Sequence, residues 1–436
     1  MNNYSVGLYT LGCKVSQYET EAIGEAFEAH GFRVLPFYER CDAYVINTCT
    51  VTRESDRKSR QFIRRAIARN PEAAVAVVGC YSQRSPEEVA ALRGVSVVLG
   101  TADKMTVVDR IIEALEKRDS APQVSVLDLS EAPFEPMRIT RAPRTRAYVK
   151  IEDGCESKCT YCAISDARGR VRSKPKDEVI AEVEGLSAGG TLEIVLTGIE
   201  TGSYGRDFEE KYTLADLICE LDDRRSACRI RLGSLAPELI GESFVDRVRG
   251  VKILAPHFHL SIQSGSDRVL RAMKRRYNRR QALENIKRLK DAFTGAQFTT
   301  DMMVGFPGET EEDFAETVSF VREARLLDVH VFAYSPREGT PAASFPEQID
   351  EAVKRSRSRR LIEVKNEVRG SILEELVAAG EPLSVILETH DGASYSAHSE
   401  GFVEVCVKAP SGMQGELVRV VPVSHKDGVL YAELLP

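Results

Sequence analysis

The sequence predicts an α/β protein in three parts: an N-terminal parallel α/β sheet domain, a partial (β/α)6 barrel and a small C-terminal all-β barrel. Three observations carry this. Short apolar runs alternate with helix-like stretches through roughly the first 130 residues. The same alternation restarts at Ala147, with six β/α units in about 190 residues. After Gly380-Glu381-Pro382 it gives way to short strands separated by glycine turns.

Residues 1–130 form the first division. Apolar runs predict strands over 5–11, 43–47, 73–79 and 96–99, and helical patterns cover 20–30, 54–69 and 86–92. Residues 120–145 are rich in Pro and Arg, lack periodicity and read as a linker. The second division, 140–370, has predicted strands at 147–151, 193–197, 229–233, 258–263, 297–304 and 329–334. Helices at 176–186, 280–293 and 311–325 lie between them, and a long helix follows over 350–379. Six units suit an open parallel barrel, whose active site forms at the carboxyl ends of the strands. The third division, 373–436, is predicted to hold four strands, at 383–388, 402–407, 416–423 and 429–434.

A chain of 436 residues is too long for one compact core. Its 43% apolar and 29% charged residues are ordinary for a soluble protein, and no apolar run approaches the ~20 residues of a membrane span. The start lacks the basic and apolar regions of a secretory signal. A cytoplasmic protein with no membrane partner is expected. Ten cysteines in so long a chain do not form a secreted disulfide framework, and clustered cysteines point to metal or catalysis. The net charge of −7 argues against non-specific coating of nucleic acid. Four basic runs, 57–69, 138–146, 268–280 and 354–369, nevertheless favour a polyanionic partner, against the plainer reading of solvated helix faces. The third holds Arg268, Arg271, Lys274, Arg275, Arg276, Arg279 and Arg280.

Cys155, Cys159 and Cys162 supply three thiols in one C-x3-C-x2-C loop, with no fourth ligand nearby in sequence. Structural zinc takes four protein ligands. A cubane 4Fe-4S cluster has four irons, so three cysteines leave one iron open to a small molecule. His257 and His259 share one face of a predicted strand and read as a barrel-lining pair rather than zinc ligands. Cys13, Cys49 and Cys80 each end an apolar strand. Ligands of an open parallel sheet gather beyond those ends, so the three are expected to converge. One such cysteine alone would more often be core; three in matching positions favour a second cluster. Cys41, Cys219, Cys228 and Cys406 read as structural.

The C-x3-C-x2-C motif with aromatic Tyr161 before its last cysteine resembles the radical S-adenosylmethionine superfamily. Three earlier cysteines and a small C-terminal β-module narrow the resemblance to its methylthiotransferases. The motifs that carry it span nearly the whole chain: Thr10-Leu11-Gly12-Cys13-Lys14, Asn47-Thr48-Cys49, Val78-Gly79-Cys80, Gly154-Cys155, Arg168-Gly169-Arg170, Leu196-Thr197-Gly198, Gln263-Ser264-Gly265-Ser266, and Asp301 with Val304-Gly305-Phe306-Pro307-Gly308-Glu309-Thr310. Residues 373–436 resemble a TRAM domain, an RNA-binding β-barrel. Leu11-Gly12-Cys13-Lys14-Val15 followed by Gln17-Tyr18-Glu19-Thr20 looks like the branch that acts on threonylcarbamoyladenosine in tRNA. The chain departs from the family pattern at Ser16, at Ala163-Ile164-Ser165-Asp166, at Glu200 and at Gly401-Phe402.

The resemblance implies two 4Fe-4S clusters and S-adenosylmethionine. Cys155, Cys159 and Cys162 would hold the cluster that cleaves S-adenosylmethionine to a 5'-deoxyadenosyl radical. Cys13, Cys49 and Cys80 would hold an auxiliary cluster carrying sulfur. Tyr161, Thr197, Gly198, Ser234, Gln263 and Ser264 are the implied contacts to S-adenosylmethionine, and Asp301 is expected to face the barrel interior near substrate. The implied reaction replaces a C–H at carbon 2 of threonylcarbamoyladenosine by a methylthio group, next to the anticodon. The partners would be a tRNA anticodon stem-loop and an electron donor protein of flavodoxin or ferredoxin type. Isopentenyladenosine in tRNA, a ribosomal-protein aspartate, and a non-catalytic metal-stabilised RNA-binding role stay open as alternatives.

Overall fold

Residues 4–117, 121–142 and 145–435 are described by the computed structural model. Near the N-terminus, six parallel strands form one sheet in the order Arg33–Leu35, Ser5–Thr10, Ala43–Thr48, Ala74–Gly79, Val97–Leu99 and Gln123–Ser125. The two central strands, Ala43–Thr48 and Ala74–Gly79, are buried at every position. Their unbroken Val, Ile and Ala runs are what a parallel strand covered on both faces requires. Helix Arg53–Arg69 starts where the Thr52 hydroxyl accepts the Ser55 N–H, with Glu54 and Asp56 in its first turn to complement the helix dipole.

The middle of the chain forms an open barrel split into two sheets. One is ordered Arg229–Leu232, Glu193–Thr197, Arg146–Lys150, and the other Ser234–Leu235, His257–Gln263, Gln297–Val304, Asp328–Ala333. Strands Glu193–Thr197 and Gln297–Val304 have the predicted ends. Helix Glu311–Ala324 is bounded by a reciprocal cap between Thr310 and Asp313. The long helix Glu351–Ala379 packs on the last barrel strand and on the C-terminal module.

That module is a closed barrel of five strands, not four. The extra strand, Tyr395–Ser399, joins Leu383–His390 to Glu404–Lys408. Its sequence, Tyr-Ser-Ala-His-Ser, has no apolar run and is held by its two neighbours. The module docks at the amino ends of the barrel strands. The Phe402 ring lies stacked between His257 and His398, each 4.7 Å away, with the Arg231 guanidinium 4.8 Å from its centre.

Two further expectations are corrected. The helix predicted over 20–30 begins at Lys14, because Cys13 starts it directly from the strand end. The segment taken for a linker is a fixed strap: it contributes the sixth strand, Gln123–Ser125, and the Met137 carbonyl accepts bonds from Tyr18 Oη at 2.7 Å and Lys174 Nζ at 2.8 Å. The basic run 268–280 is not one solvated face. Arg275 turns inward, while Arg268 and Arg279 pair with Asp313 and Glu323. Arg271, Lys274, Arg276 and Arg280 remain exposed. In the run 138–146, Pro143 and Arg144 lie outside the described residues. Among the described residues no helix is long and apolar enough to cross a membrane.

Candidate active site

The order of the N-terminal sheet reverses between Ser5–Thr10 and Ala43–Thr48. A crevice opens beyond the carboxyl ends of the strands at such a point. Cys13 and Cys49 follow those two strands and Cys80 follows the next, so the topology brings together three residues scattered through the sequence. Each lies within electrostatic reach of the other two. Cys13 precedes the first turn of helix Lys14–Ala29 without using its thiol as a cap. Gly79 has φ +103°, and a Cβ there would sit 2.6 Å from Asn47 Oδ1 and 2.7 Å from the Thr48 carbonyl oxygen. Only glycine allows Cys80 this close to Cys49.

The second triad sits in a local loop at the mouth of the barrel. The Cys155 N–H bonds the Gly169 carbonyl at 3.0 Å, and the Cys162 N–H bonds the Cys159 carbonyl at 3.0 Å. Gly154 has φ +92°, and a Cβ there would lie 1.8 Å from the Arg170 carbonyl oxygen. Burial and the neighbouring sulfurs push the thiols of Cys49 and Cys162 up to about 12, and Cys80 and Cys155 move in the same direction. As free thiols these groups are held neutral. Deprotonation therefore needs a cation, which a metal cluster provides. Arginines sit ready to support the thiolate form: Arg168 Nε donates to Cys80 Sγ at 3.2 Å and Arg275 Nη1 to Cys159 Sγ at 3.3 Å. This donor set, three soft sulfurs and a guanidinium per site, fits one iron–sulfur cluster at each triad.

One buried ionic network joins the two triads. Arg168, fully buried, bonds Cys80 of the first triad, Glu19 at 2.6 Å and Asp153 at 3.1 Å; Asp153 leads into the Cys155 loop. Lys150 adds bonds to Glu19 at 2.9 Å and Asp153 at 2.6 Å, and Lys104 lies 3.1 Å from Glu19. Burial raises the carboxyls of Glu19 and Asp153, but the surrounding cations win and hold both well below the ordinary range. Ala163, Ile164, Ser165 and Asp166, where the chain leaves the family pattern, lead into and open the short helix Ile164–Arg168 that delivers Arg168.

The remaining residues named from sequence line the strand ends and the barrel interior. The Tyr161 ring packs with Val269, Met273, Phe306 and Tyr334. Thr197 is buried, and Gly198 is so close to Glu152 that a Cβ would meet Oε2 at 2.4 Å. Glu152 Oε1 is buried without a hydrogen-bond partner, and burial pushes this carboxyl well above the ordinary range. Ser234 is half-buried level with His259. Gln263 takes a left-handed φ of +69° at an irregular pairing with the next strand. The Ser264 hydroxyl lies 3.4 Å from Thr317 Oγ1, against a helix rather than in the lumen. Asp301 stands between His259, 3.4 Å away, and His330, 3.1 Å away. Burial raises its carboxyl, but the two imidazoles hold it below the ordinary range. The three ligand atoms lie within 4.8 Å of one another, close enough to share a cation. Thr299 Oγ1 contacts both His257 and His259, so these two do line one wall.

Sequence reasoning did not single out His330, Arg275, Lys150 or Lys104. His330 lies on the edge strand of the open barrel, where no local pattern marks a lumen-facing residue. A lysine at a strand end inside an apolar run, as at Lys150, was the available signal for the network.

Against this geometry, a model of the radical SAM superfamily matches residues 149–321, and one described as uncharacterized protein family UPF0004 matches residues 5–100. The threonylcarbamoyladenosine tRNA methylthiotransferase MtaB of Bacillus subtilis is 40% identical over 95% of this chain and 93% of its own length. The chain belongs to the radical S-adenosylmethionine methylthiotransferases. The corresponding Thermotoga maritima protein is 38% identical over 81% of this chain and 80% of its own. The tRNA-2-methylthio-N(6)-dimethylallyladenosine synthase of Thermoanaerobacter pseudethanolicus is 34% identical over 84% of this chain and 81% of its own. Among solved structures, the radical S-adenosylmethionine methyltransferase TsrM of Kitasatospora setae shares the fold, with a TM-score of 0.57 over 78% of this chain and 77% of that one at 18% identity.

Two measurements test the electrostatics of this methylthiotransferase site in cluster-free protein. Replacing Glu19 by Gln removes the carboxylate from between three buried cations, and urea unfolding is expected to show a loss of about 3–5 kcal/mol. An unchanged midpoint would contradict the network. Burial raises the Glu200 carboxyl from 4.5 to about 7. The folded state then binds the proton that the unfolded state has lost, so stability falls as pH rises from about 4.5 to about 7. Glu200→Gln is expected to remove roughly 3 kcal/mol of that slope. Parallel pH–stability curves for the two proteins would refute it.

Proposed function

We propose that this chain is a tRNA methylthiotransferase that converts threonylcarbamoyladenosine next to the anticodon into its 2-methylthio derivative. The observation that carries this is the 40% identity, over 95% of the chain, to a methylthiotransferase named for that nucleoside. The dimethylallyladenosine enzymes it matches are 31 to 35% identical.

Two 4Fe-4S clusters and S-adenosylmethionine, when bound, supply the radical and sulfur chemistry that an unactivated aromatic C–H bond demands. Cys155, Cys159 and Cys162 hold one cluster at the barrel mouth, and Cys13, Cys49 and Cys80 hold the other. Arg275 and Arg168 donate to one sulfur of each set and favour the thiolate. Thr197, Gly198, Ser234 and Gln263 take the cofactor at consecutive strand ends, with the unpartnered Glu152 Oε1 beside them. Asp301, aimed into the lumen between two histidines, faces substrate. The closed C-terminal barrel and the exposed Arg271, Lys274 and Arg276 bind the backbone of the anticodon stem-loop. A flavodoxin or ferredoxin type protein supplies electrons, in the cytoplasm.

Anaerobic reconstitution with iron and sulfide is expected to load about eight irons per chain, falling to about four in Cys80→Ala. About four in the unaltered protein would remove the auxiliary cluster. Nucleosides from tRNA of a deletion strain are expected to lack the methylthio form of threonylcarbamoyladenosine. Loss of the dimethylallyl form instead, or of a ribosomal-protein modification, would name another branch. Absence of 5'-deoxyadenosine with S-adenosylmethionine and dithionite would make the chain a scaffold.

A further inference from the structure

The lumen floor of the barrel carries an unbalanced charge. Three arginines there share two carboxylates. Glu193 takes Arg146 at 2.8 Å, Arg229 at 3.3 Å and Arg231 at 2.7 Å, and Glu388 takes Arg146 at 2.7 Å and His398 at 2.7 Å. Asp301, the third carboxylate nearby, is already held by His259 and His330. A fourth cation, Lys14, enters the same space. Its helix packs along the first barrel strand, Arg146–Lys150, which directs its ammonium within reach of Arg231, Arg146 and Asp301. Lys14 is half-buried, and no ion pair or hydrogen bond of its ammonium is found among the described residues. Counting arginine and lysine alone, four cations face three carboxylates, each of which already has a partner. An anionic group entering this space would meet a lysine that has no partner of its own among the described residues.

We propose that Lys14, backed by Arg231, pairs the carboxylate of the threonyl group of the substrate and selects that nucleoside over its dimethylallyl counterpart. The assignment rests on threonylcarbamoyladenosine being the substrate and names what reads it. The threonylcarbamoyl group ends in a carboxylate, whereas the dimethylallyl group is a hydrocarbon. A site with one spare cation gains an ion pair from the first and leaves the cation unpaired against the second. Lys14 directly follows Cys13, so the carboxylate is anchored beside the N-terminal triad.

The test uses cluster-loaded enzyme and three anticodon stem-loops, carrying threonylcarbamoyladenosine, its carboxylate methyl ester, and dimethylallyladenosine. With the unaltered enzyme, esterification is expected to lower kcat/KM on the order of ten- to a hundredfold, mainly through KM, the worth of a charge-assisted hydrogen bond in a cavity. Lys14→Met is expected to impose the same loss on the free acid and none further on the ester, with iron content held at the unaltered value. Lys14→Arg should recover part of it. Equal kcat/KM for acid and ester would overturn the proposal, whether or not the Met variant loads its clusters. Full activity of Lys14→Met on the acid would also overturn it. Turnover of the dimethylallyl stem-loop alone would instead overturn the substrate assignment beneath it.

Discussion

Arg168 is the residue on which the architecture turns. Its guanidinium is fully buried, and burial opposes its charge, yet Asp153, Cys80 and Glu19 hold it protonated. Taking so many charges out of water is costly, and the attraction between them offsets this only with close geometry. Here the geometry spans three segments far apart in sequence: the first helix, the Cys80 turn and the loop that begins at Asp153. A shift of either triad would strand a buried charge. The network therefore fixes the separation of the two sulfur sets more firmly than apolar packing, which tolerates repacking, would do.

The two triads solve one chemical problem by different routes. The loop triad is local: its turns are closed by main-chain bonds and by a glycine where any side chain would collide with Arg170. The sheet triad is global: three strand ends deliver one sulfur each, and Gly79 removes the obstacle between the last two. In each, burial and the neighbouring sulfurs push a thiol up to about 12, Cys49 in the sheet triad and Cys162 in the loop triad. A metal bound at either site would therefore release protons, which would couple its loading to pH.

Much of this was legible in the sequence, for identifiable reasons. Strand Glu193–Thr197 is an apolar run of Ile, Val and Leu between polar residues, and its ends follow from that contrast. The cysteines were readable because a strand-end position restricts where a side chain can go. What escaped has no local signature. Tyr395–Ser399 is a strand because two neighbours pair with it. Arg275 lies in a basic run, and nothing in that run marks it as the member that points toward Cys159. His330 became part of the site through strand order alone.

The strap between the two large domains has a different consequence. Several of its polar contacts are made through the main chain: the carbonyls of Leu127, Ser130 and Met137 accept bonds from Gln83, Arg170 and Tyr18, and the N–H groups of Ile139 and Thr140 donate to Glu182 and Glu25. Carbonyls and N–H groups are common to nearly all residues. Those bonds are therefore weakly tied to amino-acid identity, while Leu129, Met137 and Ile139 also bury their side chains and proline at 139 or 140, which lacks the N–H, is barred. Such a segment can drift in sequence over evolutionary time while staying fixed in space, and that is why a tightly held element reads as a linker.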